Sequence, residues 1–173
     1  MNLTEQLMLS ALRQLDGKIK HPVTLIVGGG GAMILAHQFT LVTGDIDAIP
    51  SNGMTPAEID PLVKEVALEL KLPKDWLNPY YSTFTHVLPP DYGTRLLTVS
   101  TFNNLKVLAL SKDDLLIMKC FAGRMKDRPH AKALIQGGAK ILFVEKHLEA
   151  LQKRGIPKAE KALDFLDEVL SME

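Results

Sequence analysis

The chain has 173 residues, of which 46% are hydrophobic and 23% charged, and its 20 basic residues balance its 20 acidic ones. This length predicts one domain that can bury its own core without covalent staples. The single cysteine, Cys120, excludes an internal disulfide and a multi-cysteine zinc site. The zero net charge argues against a dedicated binder of nucleic acid or of a membrane surface.

No apolar run approaches the ~18 residues that a membrane span requires. The longest run, residues 23–36, is interrupted by Thr24 and by four glycines. The first five residues lack the basic region of a secretory leader. We therefore expect a cytoplasmic protein with no membrane partner.

The first half of the chain alternates helix and strand signals. Leucines recur at helical spacing over residues 3–15, and the β-branched run 23–27 is typical of a buried strand. Thr55, Pro56 and Glu58 form a helix-start signature. The predicted elements are a helix over 3–15, a strand over 23–27, a glycine turn over 28–31, a helix over 32–39, a strand over 43–50 and a helix over 55–70.

The second half begins with strand signals and ends in helices. The predicted elements are a connector over 76–81, strands over 83–88, 95–101 and 106–110, a helix over 111–126 and a helical tail that closes with an amphipathic helix over 158–172. Strands that cluster in the middle with helices at both ends predict an α+β fold. We expect a mixed β-sheet flanked by helices, with a C-terminal helical tail.

The most informative stretch places a strand, the glycine turn, a helix and then Asp45-Ile46-Asp47 in that order. Glycines let a ligand approach the backbone closely, and the unpaired amides of a helix start suit a phosphate. Alternation along a strand sends Asp45 and Asp47 to one face and Ile46 to the core. Paired carboxylates favour Mg²⁺, which commonly bridges protein carboxylates and substrate phosphates. The stretch therefore predicts a site for a nucleoside triphosphate and its metal.

Two other phosphate-binding motifs do not fit these glycines. A P-loop requires a lysine after its second glycine, and position 33 is methionine. The dinucleotide fingerprint requires glycine or alanine at its third place, where this chain has Met33 or Ile34, depending on the starting glycine. The dinucleotide interpretation stays a weak alternative, because an aspartate about 20 residues downstream could contact a ribose.

Two blocks of the sequence resemble one known superfamily. The first joins the glycine corner, residues 27–32, to residues 43–47, and the second covers residues 107–127, with Lys119, Arg124 and Asp127 on its helix. Together they resemble the nucleotidyltransferase superfamily related to polymerase β, and in particular its small bacterial branch of abortive-infection toxins and minimal nucleotidyltransferases. The segment 76–78 is similar to a connector in some members of that branch.

The resemblance implies a nucleotidyltransferase-like domain over residues 1–135, followed by a helical extension over 136–173 packed on the same domain. It implies transfer of a nucleotide to a hydroxyl of a protein, an RNA end or a small molecule, and for a toxin it implies an antitoxin partner. Two-metal catalysis would use Mg²⁺. The resemblance assigns to Asp45 and Asp47 the role of catalytic metal ligands. The nucleotide phosphates would be bound by Gly29, Gly30, Lys119 and Arg124.

Departures from the superfamily pattern support a second hypothesis, a catalytically degenerate module that binds a nucleotide or another protein. Leu41 stands where many relatives have arginine, and no Asp or Glu occurs in the three predicted strands over 83–88, 95–101 and 106–110. The usual third carboxylate is therefore missing. Arg124 and Asp127, three residues apart on a predicted helix, could also simply pair with each other.

Overall fold

The computed structural model describes residues 1–172, and the chain divides into two compact units. The first unit comprises Met1–Ser82 and Leu96–Leu110, and the second comprises Thr83–Arg95 and the chain from Ser111 onward. The division into a domain over 1–135 and an extension over 136–173 stays a prediction. No helix within residues 1–172 has both the length and the apolar character needed to cross a membrane.

The first unit is built on a five-stranded sheet of mixed direction, which confirms the predicted α+β class. The strand order is β3-β2-β1-β5-β4, in which β1 runs antiparallel to β2 and parallel to β5. Strand β3 is parallel to β2, and β4 is antiparallel to β5. The elements of this unit are α1 (Glu5–Asp16), β1 (Val23–Val27), α2 (Gly29–Leu35), β2 (Ile46–Asn52), α3 (Pro56–Leu70), β3 (Leu77–Asn78), β4 (Leu97–Thr101) and β5 (Leu105–Ala109).

Local signals set the ends of the helices in this unit. The Thr4 side chain accepts a hydrogen bond from the Leu7 amide at the start of α1, and Thr55 and Glu58 form the predicted reciprocal capping box of α3. Strand β1 lies at the centre of the sheet, where nearly all of its side chains are buried. The indole N–H of Trp76 donates to the Val63 carbonyl of α3 and so ties the segment before β3 to that helix.

The second unit contains four described α-helices and several buried charges. Arg95 donates two hydrogen bonds to the buried Asp114, and Asp113 accepts one from the Lys140 amide. Cys120 is buried in the first of these helices. The helices are α4 (Lys112–Ala122), α5 (Asp127–Gln136), α6 (Ile141–Lys153) and α7 (Ala159–Leu170).

The strand predicted over 83–88 is wrong. Residues Tyr80–Val87 form a 3₁₀ helix, and the amide of the next residue, Leu88, donates to the Thr85 carbonyl. The Val87 carbonyl accepts instead from His147 Nε2 at 2.6 Å. Because these backbone groups are bonded locally or to a side chain, the β-branched residues of the segment do not need a neighbouring strand.

Two helix boundaries also differ from the prediction. The glycines do not form a separate turn, because Gly29 begins α2, and this helix ends at Leu35 rather than Phe39. The helix predicted over 111–126 ends at Ala122, where Gly123 adopts a left-handed conformation with φ of 58°. A helix commonly ends at such a glycine, so α5 begins as a separate element.

Asp16, at the end of α1, anchors the turn between β4 and β5. Its buried carboxylate accepts backbone hydrogen bonds from Asn104 at 2.7 Å and from Leu105 at 2.9 Å. We expect Asp16→Ala to lower the free energy of unfolding by about 2–3 kcal/mol, because these amides lose their acceptor. Urea denaturation measures this loss. Gln6→Ala, on the exposed face of the same helix, is the control, and equal stability of the two variants would contradict the prediction.

Candidate functional site

The two predicted metal-binding aspartates lie at the start of β2. Asp45 immediately precedes the strand and Asp47 is its second residue, while Ile46 between them is fully buried. Both carboxylate residues are only partly buried. The alternation expected from the sequence is therefore present, with the isoleucine in the core and the acids outside it.

Asp47 lies directly against the glycine corner. The Gly28 amide donates to the Asp47 carbonyl at 2.8 Å. Gly29 has a φ of 56°, and a Cβ atom at this position would lie 2.4 Å from Asp47 Oδ2. A side chain at position 29 would thus strain the backbone and collide with the carboxylate. Position 29 favours glycine because of its positive φ, and the Asp47 carboxylate lies in the space that a side chain would enter.

The space around the neighbouring glycines, Gly28 and Gly30, is limited by other side chains. A Cβ at Gly30 would meet Leu41 and Thr43 at 3.4 Å, an ordinary contact distance, so sterics do not require glycine there. A Cβ at Gly28 would lie 3.1 Å from the Tyr81 ring, whose hydroxyl donates to the Ile26 carbonyl at 2.6 Å. The first turn of α2 presents backbone amides that no helix can satisfy internally.

Asn78 connects the two aspartates and was not predicted as a site residue. It pairs in register with Asp47 between β2 and β3, and its Nδ2 donates to Asp45 Oδ2 at 3.2 Å. Its Oδ1 accepts from the Tyr80 amide at 3.0 Å, which fixes the orientation of the carboxamide. Asp45 and Asp47 therefore flank the same residue. The only signal in the sequence was the resemblance of the segment 76–78 to a connector of the superfamily.

The donor set suits Mg²⁺ when the substrate supplies further oxygens. Within residues 1–172 no group of three or more His, Cys, Asp or Glu side chains could hold a metal ion. Strands β4 and β5 contain no Asp or Glu. Two carboxylates nevertheless fit this ion, because protein sites for Mg²⁺ often provide only one or two and leave the remaining positions to phosphates and water.

The other two predicted nucleotide-binding residues, Lys119 and Arg124, lie in the second unit and converge on Asp127. Lys119 Nζ lies 2.9 Å from Asp127 Oδ1, and its side chain is only 8% exposed. Arg124 Nε lies 2.6 Å from Asp127 Oδ2, with 45% of its side chain exposed. The pairing of Arg124 with Asp127 foreseen from their spacing is therefore present. The structure brings Asp47 to Gly29 within the first unit and Lys119 to Arg124 within the second.

Burial and direct contacts shift the pKa values of Asp127 and His130 in this cluster. Burial pushes the pKa of Asp127 upward, but hydrogen bonds from Arg124 and Lys119 outweigh burial and hold the pKa below its usual range. His130, 3.3 Å from Lys119 Nζ through its Nδ1, has its pKa lowered by burial and by the nearby lysine. At neutral pH the cluster thus combines an ionised aspartate with a neutral histidine.

One comparison with known proteins gives a match. A family model described as "Nucleotidyltransferase of unknown function (DUF6036)" matches residues 6–149. The match includes the glycine corner, both aspartates and the cluster around Asp127. The comparisons with curated proteins and with solved structures give no match.

Gly29→Ala tests the contact between the corner and the acid. We expect this variant to lose about 1–3 kcal/mol of unfolding free energy, because alanine at positive φ is strained and its methyl group displaces the Asp47 carboxylate. Gly30→Ala is the matched control, since its methyl group would make only ordinary contacts. Urea denaturation of both variants makes the comparison. A Gly29 variant as stable as the Gly30 variant would contradict the prediction, because neither the positive φ nor the Asp47 carboxylate would then disfavour a side chain at position 29.

Asp127→Asn tests the buried ion pairs of the second unit. At neutral pH we expect a loss of about 3–5 kcal/mol, because the Lys119 ammonium stays buried without its counter-charge. Since the folded pKa of Asp127 is depressed, its contribution is present at neutral pH and is lost as the pH falls through that pKa. Denaturation at pH 7 and pH 3 should therefore show a smaller difference from wild type at the lower pH. A difference that does not change with pH would contradict this role, and Asp167→Asn, an exposed acid on α7, is the control.

Proposed function

The chain belongs to a family of nucleotidyltransferases of unknown function, and from this premise we propose that it binds a nucleoside triphosphate with Mg²⁺ and transfers the nucleotide to a hydroxyl group. The observation that carries the proposal is the contact between Asp47 and the Gly29 backbone. A carboxylate beside the open amides of a helix start places a metal ligand next to phosphate donors.

Each part of the site has a chemical task in this proposal. Asp45 and Asp47 would hold Mg²⁺, which when bound promotes loss of the acceptor proton and offsets charge on the leaving pyrophosphate. The amides of Gly29 and Gly30 would donate to phosphate oxygens. In the reaction, the acceptor hydroxyl would release its proton to solvent and its oxygen would form a bond to the α-phosphorus. The bond from that phosphorus to the oxygen that bridges to the β-phosphate would break, and pyrophosphate would leave.

The same proposal covers the acceptor hydroxyl, the biological role and the location of the protein. We place the hydroxyl on a protein, an RNA end or a small molecule, and we propose a toxin role with an antitoxin partner by analogy with the abortive-infection branch. A cytoplasmic location agrees with the single buried cysteine.

A second candidate, the catalytically degenerate module, is favoured by the missing third carboxylate. No acid occurs on β4 or β5, and Asp45 is engaged by the Asn78 amide. Such a module would bind the triphosphate and perform no transfer. Binding and transfer must therefore be measured separately.

We expect calorimetry to show tighter binding of ATP with Mg²⁺ than without it. Asp47→Asn should abolish the effect of the metal, because it removes one of the two proposed carboxylate ligands. Asp60→Asn, a half-exposed acid on α3 that pairs with Lys64, is the matched control and should keep the effect. Absence of ATP, GTP, CTP and UTP binding in the wild-type protein, with and without Mg²⁺, would contradict both candidates.

Transfer is tested with α-labelled triphosphates, Mg²⁺ and a cellular extract. Label that appears on protein or RNA with wild type and not with Asp47→Asn supports the enzyme. Binding without transfer to any protein, RNA or small-molecule fraction favours the module.

A further inference from the structure

Asn78 uses both N–H donors and the oxygen of its carboxamide. Its Nδ2 donates to Asp45 Oδ2 at 3.2 Å and to the Asp75 carbonyl at 3.3 Å. Its Oδ1 accepts from the Tyr80 amide at 3.0 Å. Exchanging the nitrogen and the oxygen would place the oxygen against two acceptors and an N–H group against the Tyr80 N–H group. The nitrogen is therefore the atom that faces Asp45.

The two oxygens of the Asp45 carboxylate differ in their contacts. Oδ2 accepts the hydrogen bond from Asn78, whereas the one hydrogen-bond contact of Oδ1 within residues 1–172 is with the Thr43 hydroxyl at 3.5 Å. That hydroxyl has a single hydrogen and lies closer to the Asp45 carbonyl, at 3.1 Å. The hydrogen therefore goes to the carbonyl, and Oδ1 keeps its lone pairs for a cation.

Strand β3 places a neutral residue beside the two proposed metal ligands. Asn78 pairs in register with Asp47 and contacts the Asp45 side chain. The other residue of β3 is Leu77, so the acid that is missing from β4 and β5 is missing here as well. The amide offers hydrogens to Asp45, whereas an aspartate of the same shape would place a third negative charge next to two.

We propose that Asn78 is the positioning residue of the metal site: its amide holds Asp45 by Oδ2 and so presents Oδ1 to Mg²⁺. The inference rests on the proposed binding of a nucleoside triphosphate with Mg²⁺. Carboxylates that bind metals are themselves oriented by hydrogen bonds, and loss of such a partner typically costs about 10–100-fold in metal affinity. Because its oxygen is bound to the Tyr80 amide, Asn78 acts through Asp45 and is not itself a ligand.

Manganese binding tests this role without a nucleotide. Mn²⁺ takes the same oxygen ligands as Mg²⁺, and the EPR signal of free Mn²⁺ measures how much of it the protein binds. We expect Asn78→Ala to raise the Kd for Mn²⁺ by about tenfold or more. Asn52→Ala is the matched control, because Asn52, exposed at the other end of β2, accepts a hydrogen bond from the Thr24 amide. Equal Kd values for Asn78→Ala and wild type would overturn the inference.

A double substitution separates positioning from direct ligation. In an Asp45→Asn background, Asn78→Ala should bring no further loss of Mn²⁺ affinity, because the residue through which Asn78 acts is already changed. A further loss as large as that in the wild-type background would make Asn78 a ligand in its own right and overturn the inference.

The effect of Mg²⁺ on ATP binding separates positioning from a general loss of structure. The affinity that Mg²⁺ adds in wild type should largely disappear in Asn78→Ala, while the Kd of ATP without metal stays unchanged. An equal rise in both Kd values would assign Asn78 to the fold alone and overturn the inference.

Asn78→Asp provides a second variant of the same shape. It keeps an acceptor for the Tyr80 amide and exchanges the donor for a charge, so three carboxylates would lie close together. Mg²⁺ should then raise the thermal midpoint of this variant more than that of wild type, because the cation offsets their repulsion. Asn52→Asp should respond like wild type. A response of Asn78→Asp no larger than that of Asn52→Asp would overturn the inference, because the side chain would not then face the metal site.

The outcomes distinguish this inference from the proposed function. Wild-type binding of ATP with Mg²⁺ that Asn78→Ala leaves unchanged would overturn the positioning role and keep nucleotide binding. If wild type binds Mn²⁺ and no nucleotide, the proposed function fails, and the Mn²⁺ comparison still decides the role of Asn78. If wild type binds neither, both fail together.

Discussion

The contact between the Asp47 carboxylate and the Gly29 backbone is the constraint on which the first unit's site depends. It requires a residue without a side chain at positive φ, a β2 strand in register with the corner, and an amide at Gly28 that holds the Asp47 carbonyl. Each requirement comes from a different part of the sequence. Together they bring a carboxylate to the start of a helix, where open amides favour an anion. A metal bound by the acid and a phosphate bound by the amides would then stabilise each other.

The second unit contains a buried cation that needs a counter-charge. Lys119 is nearly enclosed in protein, and an isolated charge there would be strongly unfavourable. Asp127 compensates it, and by also binding Arg124 it links an enclosed cation to a half-exposed one. Buried ion pairs contribute little net stability compared with apolar packing, so their retention agrees with a role in placing groups.

Much of the fold could be predicted because its signals are local. The buried strand 23–27, the Thr55 capping box and the alternation across Asp45-Ile46-Asp47 depend on a few adjacent residues, and all three are present. The mixed sheet followed from the order of these elements. The family was recognisable from the glycine corner and the spacing of the acids, since that combination has few other uses.

The incorrect or missing predictions concern residues whose structure depends on contacts with residues far away in the sequence. Residues 83–88 have β-forming side chains, yet their backbone is satisfied within a 3₁₀ helix and by His147, 60 residues away. Nothing in the sequence indicated that Asn78 lies near the aspartates beyond the resemblance of segment 76–78 to a connector, because its approach to Asp45 exists only through the short pairing of β2 with β3. Likewise, the sequence showed Lys119 and Arg124 as two cations near an acid, and only the burial of the lysine separates their roles.

The burial of Cys120 has a practical consequence. Enclosure within α4 raises the pKa of its thiol to about 12, so almost no thiolate exists at neutral pH. Alkylating reagents attack the thiolate, and the folded chain should therefore resist them. The rate at which such a reagent modifies this one sulfur then measures how often the surrounding helices open, and the protein carries its own reporter of local unfolding without an added label.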